Sequence, residues 1–335
     1  MTERRLREIL ERITTVSVGI VGDFCVDAYW ELDTSNPEIS VETRKITRAV
    51  ARQRYSLGGA GNIANNAVAL SAASVHTFGV IGNDLFGGEM LRLLASRSMI
   101  TDGMIIQQEN FDTPVYAKPH INNEEQERID FGRFNSLSSN TTRTLAETLR
   151  NALHQMHVLI INQQLLNGVC SEHMIQMLND VALEFPDKIL IADSRHRAHL
   201  IHNMIRKLNA SEALAENPAG WLHARVSEIA AATRHPVFIT RGDKGMLACD
   251  GSSVYDIPAV HLSGEIDPVG AGDTTVAAIA CSLASGASVQ EAAEMGNLAA
   301  AVTVQKLRQT GTASSQEVIG VFLRHTFKQS RKARF

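Results

Sequence analysis

Short runs of β-branched and aliphatic residues alternate along this chain with longer stretches whose apolar residues recur three and four apart, and that alternation admits few architectures. Strands are predicted over 16–21, 74–80, 158–161, 189–192 and 237–240. Helices, each burying one face, are predicted over 62–70, 87–96, 141–154, 171–184, 222–232, 272–283, 289–307 and 315–325. Strand and helix in turn build βαβ units, and these give an α/β fold with a mostly parallel sheet. A length of 335 residues suggests about two domains. No fixed-period repeat and no Gly/Ser or proline linker divides the chain, so one domain spanning 1–335 is expected.

Two segments break the rhythm. Residues 42–56 and 114–134 are charged and threonine-rich with partial period-two alternation, and they predict antiparallel strands projecting from the main sheet. They are expected to form a small β lid of roughly 40–56 and 112–135, with ordinary surface hairpins as the alternative. A net charge of −4 provides no basic field for nucleic acid. Cys25, Cys170, Cys249 and Cys281 are scattered without a C-x-x-C pair, as in a reducing compartment. The first twelve residues are charged without an apolar core, and no later window reaches the length of a membrane span. A cytoplasmic protein without membrane or nucleic-acid partners is therefore expected. The basic run Lys328, Arg331, Lys332 and Arg334 reads as a solvated end.

The segment richest in chemistry is Glu265-Ile266-Asp267-Pro268-Val269-Gly270-Ala271-Gly272-Asp273, followed by a helix of small residues. Residues nearly without side chains at a helix start leave backbone N–H groups bare, and with the helix dipole they form an anion site. Asp273 stands at its mouth, where a carboxylate stays ionised and can take a proton from an attacking hydroxyl. A glycine turn with an aspartate cap is the plainer alternative.

This run, with the small residues that follow it to Ala280, resembles the C-terminal signature of the ribokinase (PfkB) family of carbohydrate kinases, whose Asp-x-x-Gly-Ala-Gly-Asp ends in the catalytic base. The resemblance extends over roughly 14–325. Gly58-Gly59-Ala60-Gly61-Asn62-Ile63-Ala64 is similar to the family's acceptor-binding Gly-Gly-x-x-Asn-x-Ala, and the sugar-binding aspartate falls on Asp27 by spacing from Gly22. Asn209 and Glu212 match the Asn-x-x-Glu element that helps hold Mg²⁺ through water, and Asp267 is a further candidate near the metal. Thr240, Gly242 and Gly245 match the nucleotide loop, and Asn297 stands where several relatives contact the nucleotide.

What the resemblance implies is a ribokinase-like three-layer α/β/α fold using ATP and Mg²⁺, with a monovalent cation as a further candidate cofactor. It also implies a homodimer paired through the lid. The nearest branch is that of the heptose-7-phosphate kinases, on Asp27-Ala28-Tyr29-Trp30, Pro37-Glu38, the 299–307 helix and Gly311-Thr312. The branch's Asp-Tyr-x-Lys-Gly is replaced here by Asn162 to Gly168, and its Asp-Pro-Lys-Gly by Asp193-Ser194-Arg195-His196. Pro268 stands where many members carry threonine. Lys118, Arg128 and Arg133 on the lid are candidates for a substrate phosphate, against the alternative of arginines solvating a β surface.

Other classes lack their signatures. No G-x-G-x-x-G follows the first strand, no G-x-x-x-x-G-K-[ST] occurs, and twelve histidines form no H-E-x-x-H. The expected function is transfer of the γ-phosphoryl group of ATP to a sugar or sugar phosphate. Asp273 acts as base, the Gly270-Ala271-Gly272 amides as anion hole, and Asp27, Gly58, Gly59 and Asn62 on the acceptor. A nucleoside kinase of the same fold and a non-catalytic sugar or nucleotide sensor are the alternatives.

Overall fold

Strand β9 (Val158–Gln163) shows how the chain is layered: Val158 and Ile160 pack into one hydrophobic core, and Leu159 and Ile161 into another. A strand apolar on both faces must be covered on both faces. The computed structural model describes residues 1–35, 37–215, 220–307 and 309–332. With labels in chain order, the large sheet runs β14 (Val254–Ile257), β13 (Met246–Cys249), β12 (Val237–Thr240), β11 (Ile205–Asn209), β10 (Ile189–Ser194), β9, β1 (Ser17–Gly22), β4 (Ser74–Gly82) and β5 (Ile100–Gln107). From β5 to β12 the pairings are parallel, and only the β12–β13 and β13–β14 pairings are antiparallel.

On one face lie α1 (Glu3–Ile13), α2 (Ala60–Ala69), α3 (Leu85–Ala95), α8 (Ala271–Ala284), α9 (Val289–Thr303) and α10 (Ser315–Lys332). On the other lie α4 (Ser139–Ala152) and α5 (Glu172–Glu184), with the short α6 (Ala210–Leu214) and α7 (Leu222–Thr233) beside them. The arrangement is α/β/α. The large sheet is also the reason the site is where it is: parallel strands end together, and the loops beyond their carboxyl ends form the cleft.

A second sheet stands off the first: β3 (Ala49–Gly59), β2 (Phe24–Asp33), β6 (Val115–Ile121) and β7 (Glu124–Glu125), with β8 (Ile129–Phe131) pairing β6. The two segments read as a lid supply β3 and β6 to β8, and both flank β2. They differ from expectation in one respect. β6 pairs with β2 in parallel, because the chain returns to the small sheet only after the βα unit from 74 to 107.

Several elements escape a pattern search for physical reasons. Asp27 lies in the middle of β2, not on a loop after β1, because Gly22 (φ +153°) passes the chain directly into a second strand. β11 is short and carries Arg206 and Lys207, so it lacks an apolar run. α1 is hidden by its charges, although Leu6, Ile9, Leu10 and Ile13 form a buried stripe at helical spacing. Of the C-terminal basic run, Arg334 lies outside the described residues. Among the described residues no helix is long and apolar enough to cross a membrane, and the four cysteines are free and buried.

Candidate active site

Gly270 caps α8 with φ +79°, a left-handed turn in which a side chain is strained, and an added Cβ would also meet Thr310 at 3.0 Å. The first intrahelical bond is made by Thr274 to the Gly270 carbonyl, so the N–H groups of Gly272 and Asp273 lie in the turn a helix cannot bond internally. The Ala271 N–H donates to the Pro268 carbonyl at 3.1 Å. Of the Gly270-Ala271-Gly272 set expected as an anion hole, the Ala271 amide is thus engaged within the turn.

Asp273 is held from two sides. Asn62 Nδ2 of α2 donates to Oδ2 at 2.7 Å, and Gln164 Nε2 donates to Oδ1 at 3.2 Å. Burial pushes its pKa up to about 6, against the Asn62 hydrogen bond and the charges of Lys207 and Arg195; Asp193 adds to the rise. The helix dipole alone predicts the opposite direction, so desolvation outweighs it here.

Below Asp273, three residues sit in register across the ends of adjacent strands: Asn162 on β9, Asp193 on β10 and Lys207 on β11. Lys207 Nζ pairs with Asp193 Oδ2 at 2.8 Å, and the two residues are 5 % and 8 % exposed. Burial alone lowers the Lys207 pKa, but Asp193, joined by Glu212 and Asp273, carries it above its ordinary value, so the ammonium persists. A Cβ on Gly272 would lie 3.4 Å from that Nζ. The Asn162 amide, 1 % exposed, has no hydrogen-bond partner for either atom. All three line one cavity of about 540 Å³ with Asp273, Asn209 and Glu212.

Asn209 and Glu212 form a reciprocal cap on α6: Asn209 Oδ1 accepts from the Glu212 N–H at 2.9 Å, and Glu212 Oε2 accepts from the Asn209 N–H at 2.8 Å. Burial raises the Glu212 pKa. One carboxylate with an oxygen to spare suits Mg²⁺, which keeps most of its water, and Asn209 and Glu212 fit that ion. Asp267 Oδ1 accepts from the Val269 N–H at 3.0 Å in the turn before Gly270.

A second cavity of about 500 Å³ adjoins the first through Thr240, Pro268 and Gly272, and is lined further by Gly242, Gly245 and Asn297 with the apolar Leu262 and Val304. Its size and mixed lining suit a nucleotide. Asn297 donates its amide to the Ile257 and Pro258 carbonyls at 3.3 and 3.1 Å, so it ties α9 to the end of β14 as well as facing the cavity.

On the acceptor side, Asp27 is flanked in register by Ser56 and Tyr116. Lys118 Nζ lies 2.9 Å from Asp27 Oδ1, and the Thr310 hydroxyl donates to Oδ2 at 3.3 Å. Gly58 lies against that carboxylate, and Gly59 caps α2. Lys118 also lies over the Tyr29 ring, with Arg54 3.9 Å from its centroid. Arg128 is exposed, doubly bonded to Asp130 and stacked 4.4 Å over Tyr116, and Arg133 offers its backbone carbonyl to Asn167. Local sequence does not mark Lys207, Asp193, Gln164, Asn162, Thr310 or Asp23 as functional. Asn162, Asp193 and Lys207 form a buried polar row at strand ends, a signal that a single sequence does not display.

The family model described as pfkB family carbohydrate kinase matches residues 21–317. The bifunctional protein HldE of Trichlorobacter lovleyi is 28% identical over 99% of this chain and 68% of its own length. That of Geobacter metallireducens is 27% identical over 96% and 66%. The chain thus spans about two thirds of these curated relatives. Phosphofructokinase-2 from Escherichia coli in complex with potassium superposes with a TM-score of 0.75 at 19% identity, over 93% of this chain and 100% of that one. Ribokinase from Thermotoga maritima gives 0.68 at 19%, over 92% and 99%. These likenesses establish a ribokinase-like α/β fold.

Proposed function

The chain belongs to the pfkB family of carbohydrate kinases, phosphotransferases with a hydroxyl acceptor that use ATP and Mg²⁺, and on that premise we propose that it phosphorylates a sugar phosphate with Asp273 as the base. The observation that carries the reading is Asp273 itself. It lines the cavity of about 540 Å³ at the N-terminus of α8, with its carboxylate oriented by Asn62 and its pKa near 6. A base with that value is ionised at neutral pH and still able to hold a proton.

The acceptor hydroxyl loses its proton to Asp273 while its oxygen bonds to the γ-phosphorus and the bond to ADP breaks. The Gly272 and Asp273 N–H groups and the Lys207 ammonium face the charge on the transferred group. Mg²⁺, held through Asn209 and Glu212, supplies charge neutralisation to the phosphates when bound. Arg54 and Lys118 about Tyr29, with Arg128 over Tyr116, favour an anionic acceptor over a neutral one. The curated relatives, bifunctional HldE proteins, make a heptose 7-phosphate the first acceptor to try. In this reading residues 1–335 act as one cytoplasmic kinase domain with the small sheet as lid. Exposed Val50, Ile129 and Phe131 on that sheet favour a homodimer paired through it, which sedimentation checks.

An ADP-release screen over heptose 7-phosphates, fructose 6-phosphate, free hexoses, pentoses and nucleosides tests the function, run with and without potassium. Turnover confined to nucleosides replaces the proposal with a nucleoside kinase, and silence on all acceptors removes it.

A further inference from the structure

Asp23 is 1 % exposed and takes no part in the scheme above. Three backbone N–H groups converge on it at 2.7 Å: those of Gln164 and Leu165 on Oδ2 and that of Val169 on Oδ1. Burial pushes the carboxyl up, and the three donors oppose that rise. The fit is tight enough that a Cβ on Gly168 would fall 2.1 Å from Asp23 Oδ1. The loop from 163 to 169 is thus wound about a buried carboxylate. Gln163 fixes its other side, accepting from the Ser194 hydroxyl at 2.7 Å and the His196 N–H at 2.9 Å, and donating to the Leu165 carbonyl. A loop bonded so fully is a mount, and the side chain it presents to Asp273 is Gln164.

The two oxygens of Asp273 are held unequally. Asn62, 1 % exposed and built into α2, makes the short bond to Oδ2; Gln164, at the lip of the cavity, makes the long bond to Oδ1. We infer that Gln164, mounted by Asp23, is a positioning residue that presents Oδ1 of Asp273 to the acceptor hydroxyl while Asn62 holds Oδ2 away from it. This rests on Asp273 being the base. In the transfer Oδ1 gains the hydroxyl proton, the hydroxyl oxygen bonds to phosphorus, and the electron pair of the broken bond leaves on ADP. Gln164 keeps its proton and passes nothing. It also stabilises the ionised carboxylate among the charges that face it, Asp193, Lys207 and Arg195.

The test needs no acceptor. Protein labelled with carbon-13 at the aspartate carboxyls is titrated by NMR, the Asp273 signal being assigned by its absence in Asp273→Asn. Gln164→Leu is expected to move its midpoint up by ~1 pH unit, through loss of a donor to the ionised form. Gln164→Glu moves it further, because a second carboxylate then faces it. Asp23→Asn loosens the mount and moves it in the same direction. Gln164 is half-buried, so variants of opposite polarity guard against a folding artefact. An Asp273 midpoint unmoved in both Gln164→Leu and Gln164→Glu overturns the inference. If instead Asp273→Asn keeps its turnover, the base assignment has failed, whatever the titrations show.

Discussion

On the phosphate side of the cleft, charge sits at the ends of adjacent parallel strands, with Lys207 and Asp193 almost wholly covered and paired to each other. On the acceptor side, Arg54 and Arg128 stand on the small sheet with their residues exposed, anchored by stacking on tyrosine rings. The same charges behave differently in the two places. A buried ammonium has one geometry and a high penalty for losing its partner, whereas an exposed guanidinium is screened and free to adapt. On the proposed reading, the chemistry common to a phosphoryl transfer falls to the rigid half, and recognition of one particular sugar to the soft half.

The largest effect expected is that of Asp273→Asn, a loss of about 10³-fold in turnover with ATP binding retained, measured by ADP release and nucleotide titration. Its stability moves the other way. The folded-state pKa of about 6 lies above the ordinary 3.8, so the ionised carboxylate disfavours folding. That cost is full above about pH 6 and gone below about pH 4. Asp273→Asn should therefore match or exceed the unsubstituted protein in Tm at pH 8, and a large drop there breaks the assignment of burial as the cause.

Lys207→Met comes next. It strands a buried Asp193 carboxylate and should cost about 3–5 kcal/mol in denaturant unfolding. Adding Asp193→Leu should return most of the stability but none of the turnover. Return of both would make the pair a structural strut only.

The pH profile sharpens the comparison further. Because the base works only when ionised, kcat should fall about tenfold per pH unit below pH 6 and level off above it. Lys118→Ala should raise the acceptor KM about tenfold and leave the ATP KM unchanged, since Lys118 pairs with Asp27 on the acceptor side alone. Arg128→Ala should cost the least, about 1 kcal/mol or under, because its guanidinium is exposed and its pair with the half-buried Asp130 is screened. A loss from Arg128→Ala as large as that from Lys207→Met would erase the distinction between the halves.

That distinction also explains what a sequence displays. The Gly270 to Asp273 run, the Gly58-Gly59 turn and the Asn209–Glu212 cap are local, so residue spacing alone announces them. The strands with continuous apolar runs are found within a residue or two at their starts for the same reason. Asn162, Asp193 and Lys207 become a set only when β9, β10 and β11 align, and nothing in their local sequences says so. Asp27 stands in β2, a strand absent from the predicted set, because its sequence mixes polar and apolar residues without a regular period and only Asp23 separates it from β1. Gln164 lies in a run that departs from the resembling branch, where resemblance offers no guide.

The contacts that close the site join distant parts of the chain: Asn62 to Asp273, and Asp27 to Thr310. During synthesis the small sheet can pair once residue 131 has emerged, but Asp27 then lacks Thr310 and Asn62 lacks the carboxylate it orients. If Asp273 is the base, a nascent or prematurely terminated chain of about 260 residues, which lacks it, is expected to transfer no phosphoryl group. On the proposed reading, competence waits until both Asp273 and Thr310 have been made.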